Sequence, residues 1–305
     1  MRSDPRFEQP RHERDFATFL RLRRVPTKYG FSGSAAPLHE QLSREAAYQS
    51  VANALEVELE VARPSQSVLV CDLGPGPGRH SVSFLQQHTA GREHGALRYL
   101  ALDFSGINCR LTLAAIRAQF DGMDAQASTW DLEDSPTRAV REWRDDRGGP
   151  VLVLFLGHTI GNPYDPVAVL RNIHRSLGRG DEMVISVALY QQSKTAEEYV
   201  ATYRSRFVRE SLLAPFEMFG IPTDEAHFAL EFTQREVRGY VSFPSAILSR
   251  NGDQLVPPGE PIQCFRSARF LTDEIDALLR STGWDLLSSA CSHDRSHYAV
   301  RAVVR

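Results

Sequence analysis

Between about residues 68 and 189, short apolar runs alternate with amphipathic stretches. The runs at 68–73, 97–103, 125–130, 151–156 and 183–189 read as strands, most of them apolar enough to be buried on both faces. Helical spacing fills the intervals near 80–88, 106–120, 135–144 and 166–177, and the last helix stops at Gly178 and Gly180. Alternating β and α elements predict an α/β fold, a parallel sheet with helices on both faces. Two more alternating runs, 284–290 and 297–305, begin about 95 residues beyond the fifth strand and predict a final antiparallel hairpin.

The flanking regions are less regular. Residues 1 to about 15 are charged and contain proline, which predicts a mobile arm. Asp15 is placed to cap a helix over FATFLRLRR, and a longer helix runs from about 45 to 61. Between them lies a loop rich in Gly, Ser and Pro that ends in a helix. The interval 190–270 holds an amphipathic helix near 195–213 and strand-like runs at 228–233, 237–243 and 262–270, and so predicts a small α+β lid. The division expected is an N-terminal helical cap (1–67), a sheet domain (68–189 with 271–305) and an inserted lid (190–270). Cap and lid are both expected over the mouth of the sheet's crevice.

Composition narrows the class only a little. Hydrophobic content of 42% and charge of 24% suit an ordinary soluble domain, and a net charge of -3 gives no field to draw in nucleic acid. The cysteines (Cys71, Cys109, Cys264, Cys291) form no C-x-x-C pair and read as reduced packing residues of a cytoplasmic protein. The charged N-terminus lacks the apolar core of a signal peptide, and no run approaches the roughly 18 apolar residues of a membrane helix. Neither a metal, a nucleic acid nor a membrane is expected as a partner.

The candidate chemistry sits at the strand ends. VLVCDLGPGPG, 68–78, carries one acid, Asp72, and glycines at alternate positions, Gly74, Gly76 and Gly78. Glycines after a buried strand permit a sharp turn and close approach of a ligand to the main chain. Pro75 and Pro77 remove amide donors and favour extended backbone, which makes a poor cradle for pyrophosphate. The loop suits a ligand held by shape and by carbonyls, such as the methionyl part of S-adenosylmethionine (SAM). Asp103 ends the second strand about 25 residues later, where an acid can bind a ribose diol. Asp131 and Leu132 are placed to hydrogen-bond and sandwich an adenine, and PVLVLFLGHTIGN runs into Gly157, Gly161 and Asn162. In an open α/β sheet such strand ends share one crevice, and jointly they point to a Rossmann-like class I SAM-dependent methyltransferase. Taken singly, each residue also has a structural reading. Asp103 can be a helix cap, Asp131 a turn former, Asn162 a turn residue, and Tyr29, Phe31 and Tyr48 packing.

FLGHTIGN, 155–162, followed by a helix and then GD, resembles the histidine-specific SAM-dependent methyltransferase family, which includes the histidine N-alpha-methyltransferase of ergothioneine biosynthesis. KYGFSGSAAPLHEQLSR (28–44) resembles the family's segment of aromatics and glycine, with Tyr48 shortly after. GEPIQCFRSARF (259–270) resembles the run around the family's substrate-pocket strand, and the likeness covers most of the chain beyond residue 20. The resemblance implies that Asn162 and Tyr48 contact an amino-acid substrate and that Tyr199 or Tyr203 binds its carboxylate. The family's imidazole-reading acid and serine fall on Phe265 and Ser267, so the serine is kept and the acid is gone. Leaving a buried polar group of the substrate unpaired costs roughly 1–3 kcal/mol, which disfavours histidine. Phe265 can stack on an indole or a guanidinium. Glu217, Glu231 and Glu236 are available to pair a guanidinium, which puts arginine first and tryptophan second. His158, where the family more often has a small residue, is expected to reshape the pocket.

The function expected is SAM-dependent N-methylation of a free amino acid in specialised metabolism, at the arginine guanidino group or another amino-acid amine. Tyr48 and Asn162 position the amine, and no single general base is named. An O- or C-methyltransferase of another small metabolite and a non-catalytic SAM-binding module are the alternatives; monomer and dimer are both open.

Overall fold

A computed structural model describes residues 6–63, 67–90, 97–144 and 148–305. Helices α1 (Pro10–Arg21), α2 (Ala36–Leu42), α3 (Ala46–Ala52) and α4 (Leu55–Ala62) come first. Then follow β1 (Leu69–Leu73), α5 (Arg79–His88), β2 (Arg98–Asp103), α6 (Gly106–Gln119), β3 (Asp124–Thr129), α7 (Ala139–Arg144), β4 (Val151–Phe155), α8 (Pro166–Ser176) and β5 (Glu182–Ala188). The next segment holds α9 (Ala196–Ala201), α10 (Arg206–Met218), β6 (His227–Thr233), β7 (Glu236–Ser242), β8 (Ile247–Leu248), β9 (Gln254–Val256) and β10 (Ile262–Ala268). The last elements are α11 (Thr272–Ser281), β11 (Trp284–Cys291) and β12 (His297–Val304).

One compact unit joins Gln49–Gln192 to Arg269–Arg305. Its seven-stranded sheet has the order β3-β2-β1-β4-β5-β12-β11. The first five strands pair in parallel and β12 and β11 run antiparallel, which is the Rossmann-like sheet with its final hairpin. Chain order reverses between β1 and β4, so the loops after those strands border a crevice at the carboxyl edge. Every residue of β1 and β4 is buried, which is why both read as apolar runs. Leu152 and Leu154 share a core with Val57 and Val61 of α4, Phe84 of α5 and Ile116 of α6. Residues of β4 that point the other way, Val153 and Phe155, are equally enclosed. Each such aliphatic or aromatic side chain contributes roughly 1.5–3 kcal/mol by burial, so the sheet holds its strand ends in fixed places.

The other unit joins Met1–Tyr48 to Ser193–Ala268. Its antiparallel sheet runs β10-β7-β6. Phe16 of α1 packs on Tyr29 and Phe216, with ring centres 5.5 and 5.4 Å away. Residues 23–25 pair with β10: Val25 N–H donates to the Gln263 carbonyl at 2.8 Å and Gln263 N–H to the Arg23 carbonyl at 3.0 Å.

That pairing changes the division expected from sequence. The N-terminal residues are not a separate cap, because they complete the sheet of the inserted segment, and α4 belongs instead to the core of the large sheet. The insert itself contracts, since Tyr190 N–H donates to the Phe270 carbonyl and Phe270 N–H to the Ala188 carbonyl, fastening both ends onto β5. The first helix starts at Pro10, whose ring presets the first turn, and Asp15 lies exposed within it rather than capping it. Of the expected arm, residues 1–5 lie outside the described residues, and Phe7 is fastened 5.4 Å from the Phe16 ring. The helix expected over 45–61 is two helices, because the Asn53 side chain accepts the Leu55 N–H and starts α4 afresh. The helix expected near 195–213 also divides, with Ser205 capping α10 through the Phe207 N–H at 3.0 Å. The β8–β9 pair was not anticipated; strands this short show no period. Among the described residues no helix is long and apolar enough to cross a membrane.

Candidate functional site

The glycines after β1 all take positive φ, +65° at Gly74, +57° at Gly76 and +79° at Gly78. The loop therefore bends at each glycine, and the bond from Gly78 N–H to the Pro75 carbonyl closes a turn over Gly76 and Pro77. Gly74 N–H donates to the Leu102 carbonyl at 2.8 Å, Gly78 N–H to the Pro75 carbonyl at 3.0 Å, and Gly76 N–H to Asp103 Oδ2 at 3.1 Å. Thr112 of α6 donates its hydroxyl to the Gly76 carbonyl at 2.7 Å. With these amides used inside the protein, a pyrophosphate would find none of them.

Asp103 is 7% exposed, and its Oδ1 accepts the Ser105 N–H at 2.8 Å and the Asn108 side-chain amide at 3.4 Å. It thus organises both the glycine loop and the start of α6. Trp130 N–H donates to the Asp103 carbonyl at 2.9 Å, bringing the half-buried Asp131 and Leu132 to the end of β2. Asp131 accepts the Glu133 N–H at 3.1 Å, and the Leu132 carbonyl accepts from Asn172 at 2.9 Å. On the other side of β1, a Cβ on Gly74 would stand 3.2 Å from Thr159 Cγ2, in the loop after β4. Four strand ends therefore meet around the glycine turn.

Asn162 follows the turn Thr159–Gly161, donating its N–H to the Thr159 carbonyl at 3.1 Å with its side chain half-buried. His158 is a brace rather than a pocket wall. It is 4% exposed and left-handed, its Nδ1 accepts the Ala188 N–H at 2.9 Å, and its Nε2 lies 3.2 Å from Arg269. Fixing that loop to the end of β5 fixes Asn162 with it.

Asp72 points inward and is 2% exposed. Tyr99 donates to its Oδ2 at 2.7 Å, and Ser81 bonds it as well. Burial pushes its carboxyl up to about 6, against the pull of Ser81, Tyr99 and His80. Enclosed in this way, it supports the loop from below instead of offering itself to a ligand. Glu58 of α4 lies in the same cluster, fully buried, with one oxygen 2.6 Å from His80 Nε2 and the other accepting from Ser186 at 2.5 Å. Sequence reasoning missed Glu58. The signal was in LEVELEVA, where Glu56 and Glu60 share one helical face and Glu58 falls on the other.

In the other unit, Tyr203 Oη and Ser267 Oγ are 2.8 Å apart, and the Tyr203 ring lies 4.9 Å from Phe265. Tyr199 stacks on Phe232 at 4.2 Å, so Tyr203 is the tyrosine that joins Phe265 and Ser267. Phe265 pairs across Gly239 with Leu230, and Ser267 across Val237 with Phe232, which puts all four side chains on one sheet face. A bulge at Cys264 sets that phase, as the register shifts between Gln263 and Phe265. A Cβ on Gly239 would stand 2.8 Å from the Phe265 Cβ, so glycine there makes room for the ring. Glu231, Glu236, Arg238 and Arg266 project from the opposite face, where Glu236 pairs with Arg266 at 2.6 Å and Arg238 at 2.8 Å. Glu217 accepts from Thr223 at 2.5 Å. The acids expected to pair a guanidinium are thus engaged elsewhere or turned away from Phe265. Tyr48 Oη lies 3.4 Å from His39 Nε2, and burial, then Tyr203, pushes its phenol up. Tyr29 is a packing residue, and Phe31 stacks on His39 at 4.3 Å.

SAM requires an acceptor for its ribose diol, a polar edge for adenine and a turn whose glycines leave the main chain open to close approach. Asp103, Asp131 and the Gly74–Gly76 turn supply these in one cluster, and a side chain on Gly74 would fill the gap toward Thr159. The residues fit the cofactor.

Residues 51–304 match the family model described as histidine-specific methyltransferase, SAM-dependent. The chain is 25% identical over 176 residues to the histidine N-alpha-methyltransferase of Mycobacterium tuberculosis, covering 55% of this chain and 52% of that one. It therefore spans about half the length of this curated relative. Among solved structures, the CcbJ methyltransferase of Streptomyces caelestis is similar at 14% identity, covering 92% of this chain and 99% of that one, with a TM-score of 0.48. The magnesium protoporphyrin IX methyltransferase of Synechocystis is similar at 10% identity, covering 90% and 96%, with a TM-score of 0.47. Because the family match takes in the glycine loop, the whole large sheet and the strand of Phe265 and Ser267, this chain belongs to the histidine-specific, SAM-dependent methyltransferase family.

Proposed function

We propose that the protein transfers a methyl group from SAM to the amine of a free amino acid whose side chain is flat and uncharged. The observation that carries this reading is the sheet face on which Tyr203, Phe265 and Ser267 stand together while Glu231, Glu236, Arg238 and Arg266 project from the other. Family membership and the strand-end cluster support the cofactor. Phe265 in place of an acid argues against histidine, and the direction of the charged residues moves an indole ahead of a guanidinium. The order expected from sequence is thereby reversed.

In this reading Asp103 takes the ribose hydroxyls, Asp131 and Leu132 the adenine, and Gly74 and Gly76 admit the ligand to the main chain. Asn162, Tyr48 and Tyr203 are assigned to the amino acid's own carboxylate and amine. When bound, SAM supplies an electrophilic sulfonium methyl group. The protein's share is to hold the amine lone pair in line and keep water out, which is orientation rather than covalent catalysis. A phenol pushed up as that of Tyr48 is stays neutral, so its oxygen can accept an N–H of the substrate. The buried cysteines Cys71, Cys109 and Cys264 suit a reducing, cytoplasmic setting.

The test is incubation of the purified chain with SAM and equal concentrations of histidine, arginine, tryptophan and tyrosine, followed by mass analysis of the products. Methylated tryptophan or tyrosine ahead of the others supports the reading. Histidine consumed first refutes the argument from Phe265, and SAM binding without any product points to a binding module.

A further inference from the structure

We propose that Glu58 is a positioning residue of the cofactor loop, acting through His80, and that the cluster around this pair holds both ends of the loop from beneath. The inference rests on the SAM reading of the strand-end cluster and adds a part that the loop itself does not contain.

The chain enters the loop through Asp72, two residues before Gly74, and leaves it through His80 and Ser81, which open α5. Asp72 and Ser81 bond to each other across the base of the loop, and Tyr99 holds Asp72 from β2 at 2.7 Å. His80 Nε2 meets Glu58 Oε2 at 2.6 Å, and Glu58 Oε1 accepts from Ser186 of β5 at 2.5 Å. One buried carboxylate therefore ties the helix after the loop to α4 and to the centre of the sheet. Packing gives no reason for an acid at this position. Its neighbours Val57, Leu59, Val61 and Ala62 are core residues, and a buried ion pair is commonly no more stabilising than apolar side chains of the same volume. The upper side of the loop has its own ties, Asp103 to Gly76 N–H and Thr112 to the Gly76 carbonyl. The Glu58–His80 pair is the matching tie below.

Charge agrees with the geometry. Burial opposes a proton on His80, but the Glu58 carboxylate, its hydrogen bond and Asp72 together outweigh burial and raise the imidazole. The titratable groups around the pair are Asp72 from β1, Tyr99 from β2 through Asp72, and His297 from β12, which is influenced by both Glu58 and Arg269. Ser81 and Ser186 add hydroxyls only. The charged pair is complete below the raised His80 value. As pH climbs through it the proton leaves, a charge-assisted bond becomes a neutral one, and the loop loses its lower tie.

The experiment is calorimetric titration of S-adenosylhomocysteine into the full chain at half-unit steps from pH 6 to 9, for wild type, His80→Gln and Glu58→Gln, with thermal unfolding alongside. Wild type is expected to weaken by about five- to tenfold toward alkaline pH beyond the effect of the ligand's own amine. His80→Gln, with no titrating ring, should show the ligand's amine alone. Glu58→Gln should move the alkaline limb to lower pH, because the ring loses the carboxylate that raises it. Identical alkaline limbs in wild type and His80→Gln overturn the proposal, as does an unmoved limb in a folded Glu58→Gln. If Glu58→Gln does not fold, the His80→Gln comparison decides by itself. Wild type that binds no S-adenosylhomocysteine at any pH overturns the SAM reading and the proposal together, whereas tight binding with no difference among the proteins overturns the proposal alone.

Discussion

The Asp103 carboxylate accepts the Gly76 N–H at 3.1 Å, so the residue proposed to bind the cofactor's ribose also holds the glycine turn. Asp103→Ala removes the acceptor for two hydroxyls, roughly 1–2 kcal/mol, or a five- to thirtyfold weaker cofactor. It also leaves Gly76 N–H, Ser105 N–H and Asn108 without that acceptor, so the melting temperature should fall as well. Thr112→Val, which cuts only the bond to the Gly76 carbonyl, should weaken binding less. Calorimetry showing unchanged affinity in Asp103→Ala would remove this residue from the site.

Gly78 offers a purely steric test. Its φ is +79° and a Cβ would stand 2.9 Å from Thr112 Cα, a main-chain atom that cannot swing aside. Gly78→Ala should cost on the order of 1–3 kcal/mol in chemical denaturation, combining left-handed strain with displacement of α6. A neutral outcome would mean that the turn can relax without moving that helix.

Stability should carry a signature of Asp72. The folded carboxyl holds its proton up to about 6, whereas its ordinary value is 3.8. The folded state therefore binds more protons than the unfolded between those values, and its stability falls as pH rises through that window. The contribution is complete below 3.8 and gone above about 6, on the order of 2–3 kcal/mol. Thermal unfolding from pH 4 to 7 should show a flatter profile for Asp72→Asn than for wild type. Parallel profiles would place the titration elsewhere.

Phe265 should be the lever of substrate choice. Restoring an acid beside Ser267 with Phe265→Glu is expected to raise the preference for histidine over tryptophan by about ten- to a hundredfold in kcat/KM, since a buried donor then finds its partner. Competition between the two amino acids, read by mass spectrometry, gives that ratio directly. An unaltered ratio would separate Phe265 from the substrate's side chain.

The large sheet was legible because β1, β2, β4 and β5 are buried almost throughout and the first three run into glycine or an acid, and those features are local. VLVCDLGPGPG gave both the strand and the turn. What stayed hidden depends on partners distant in sequence. Arg23 and Val25 meet Gln263 across most of the chain, and no periodicity near residue 24 reveals it. The same holds for Asp72, whose inward role needs Tyr99 and Ser81 in place, and for Glu231 and Glu236, whose direction depends on strand register. Phe265, Ser267 and Tyr203 could be singled out from resemblance, but only the folded chain separates Tyr203 from Tyr199.

The slip at Cys264 has a consequence for how relatives should be compared. β10 behaves as two short rulers laid end to end with different origins, one ending at Gln263 and the other beginning at Phe265. Counting from Ile262 along a regular strand would give Cys264 the place opposite Gly239 that Phe265 holds, give Arg266 the place of Ser267, and set Phe265 opposite Arg238. Equivalences drawn from the first ruler would thus exchange the phenyl ring for a thiol and the hydroxyl for a guanidinium. The origin to use is Ser267, because its bond to Tyr203 marks the second ruler from outside the strand.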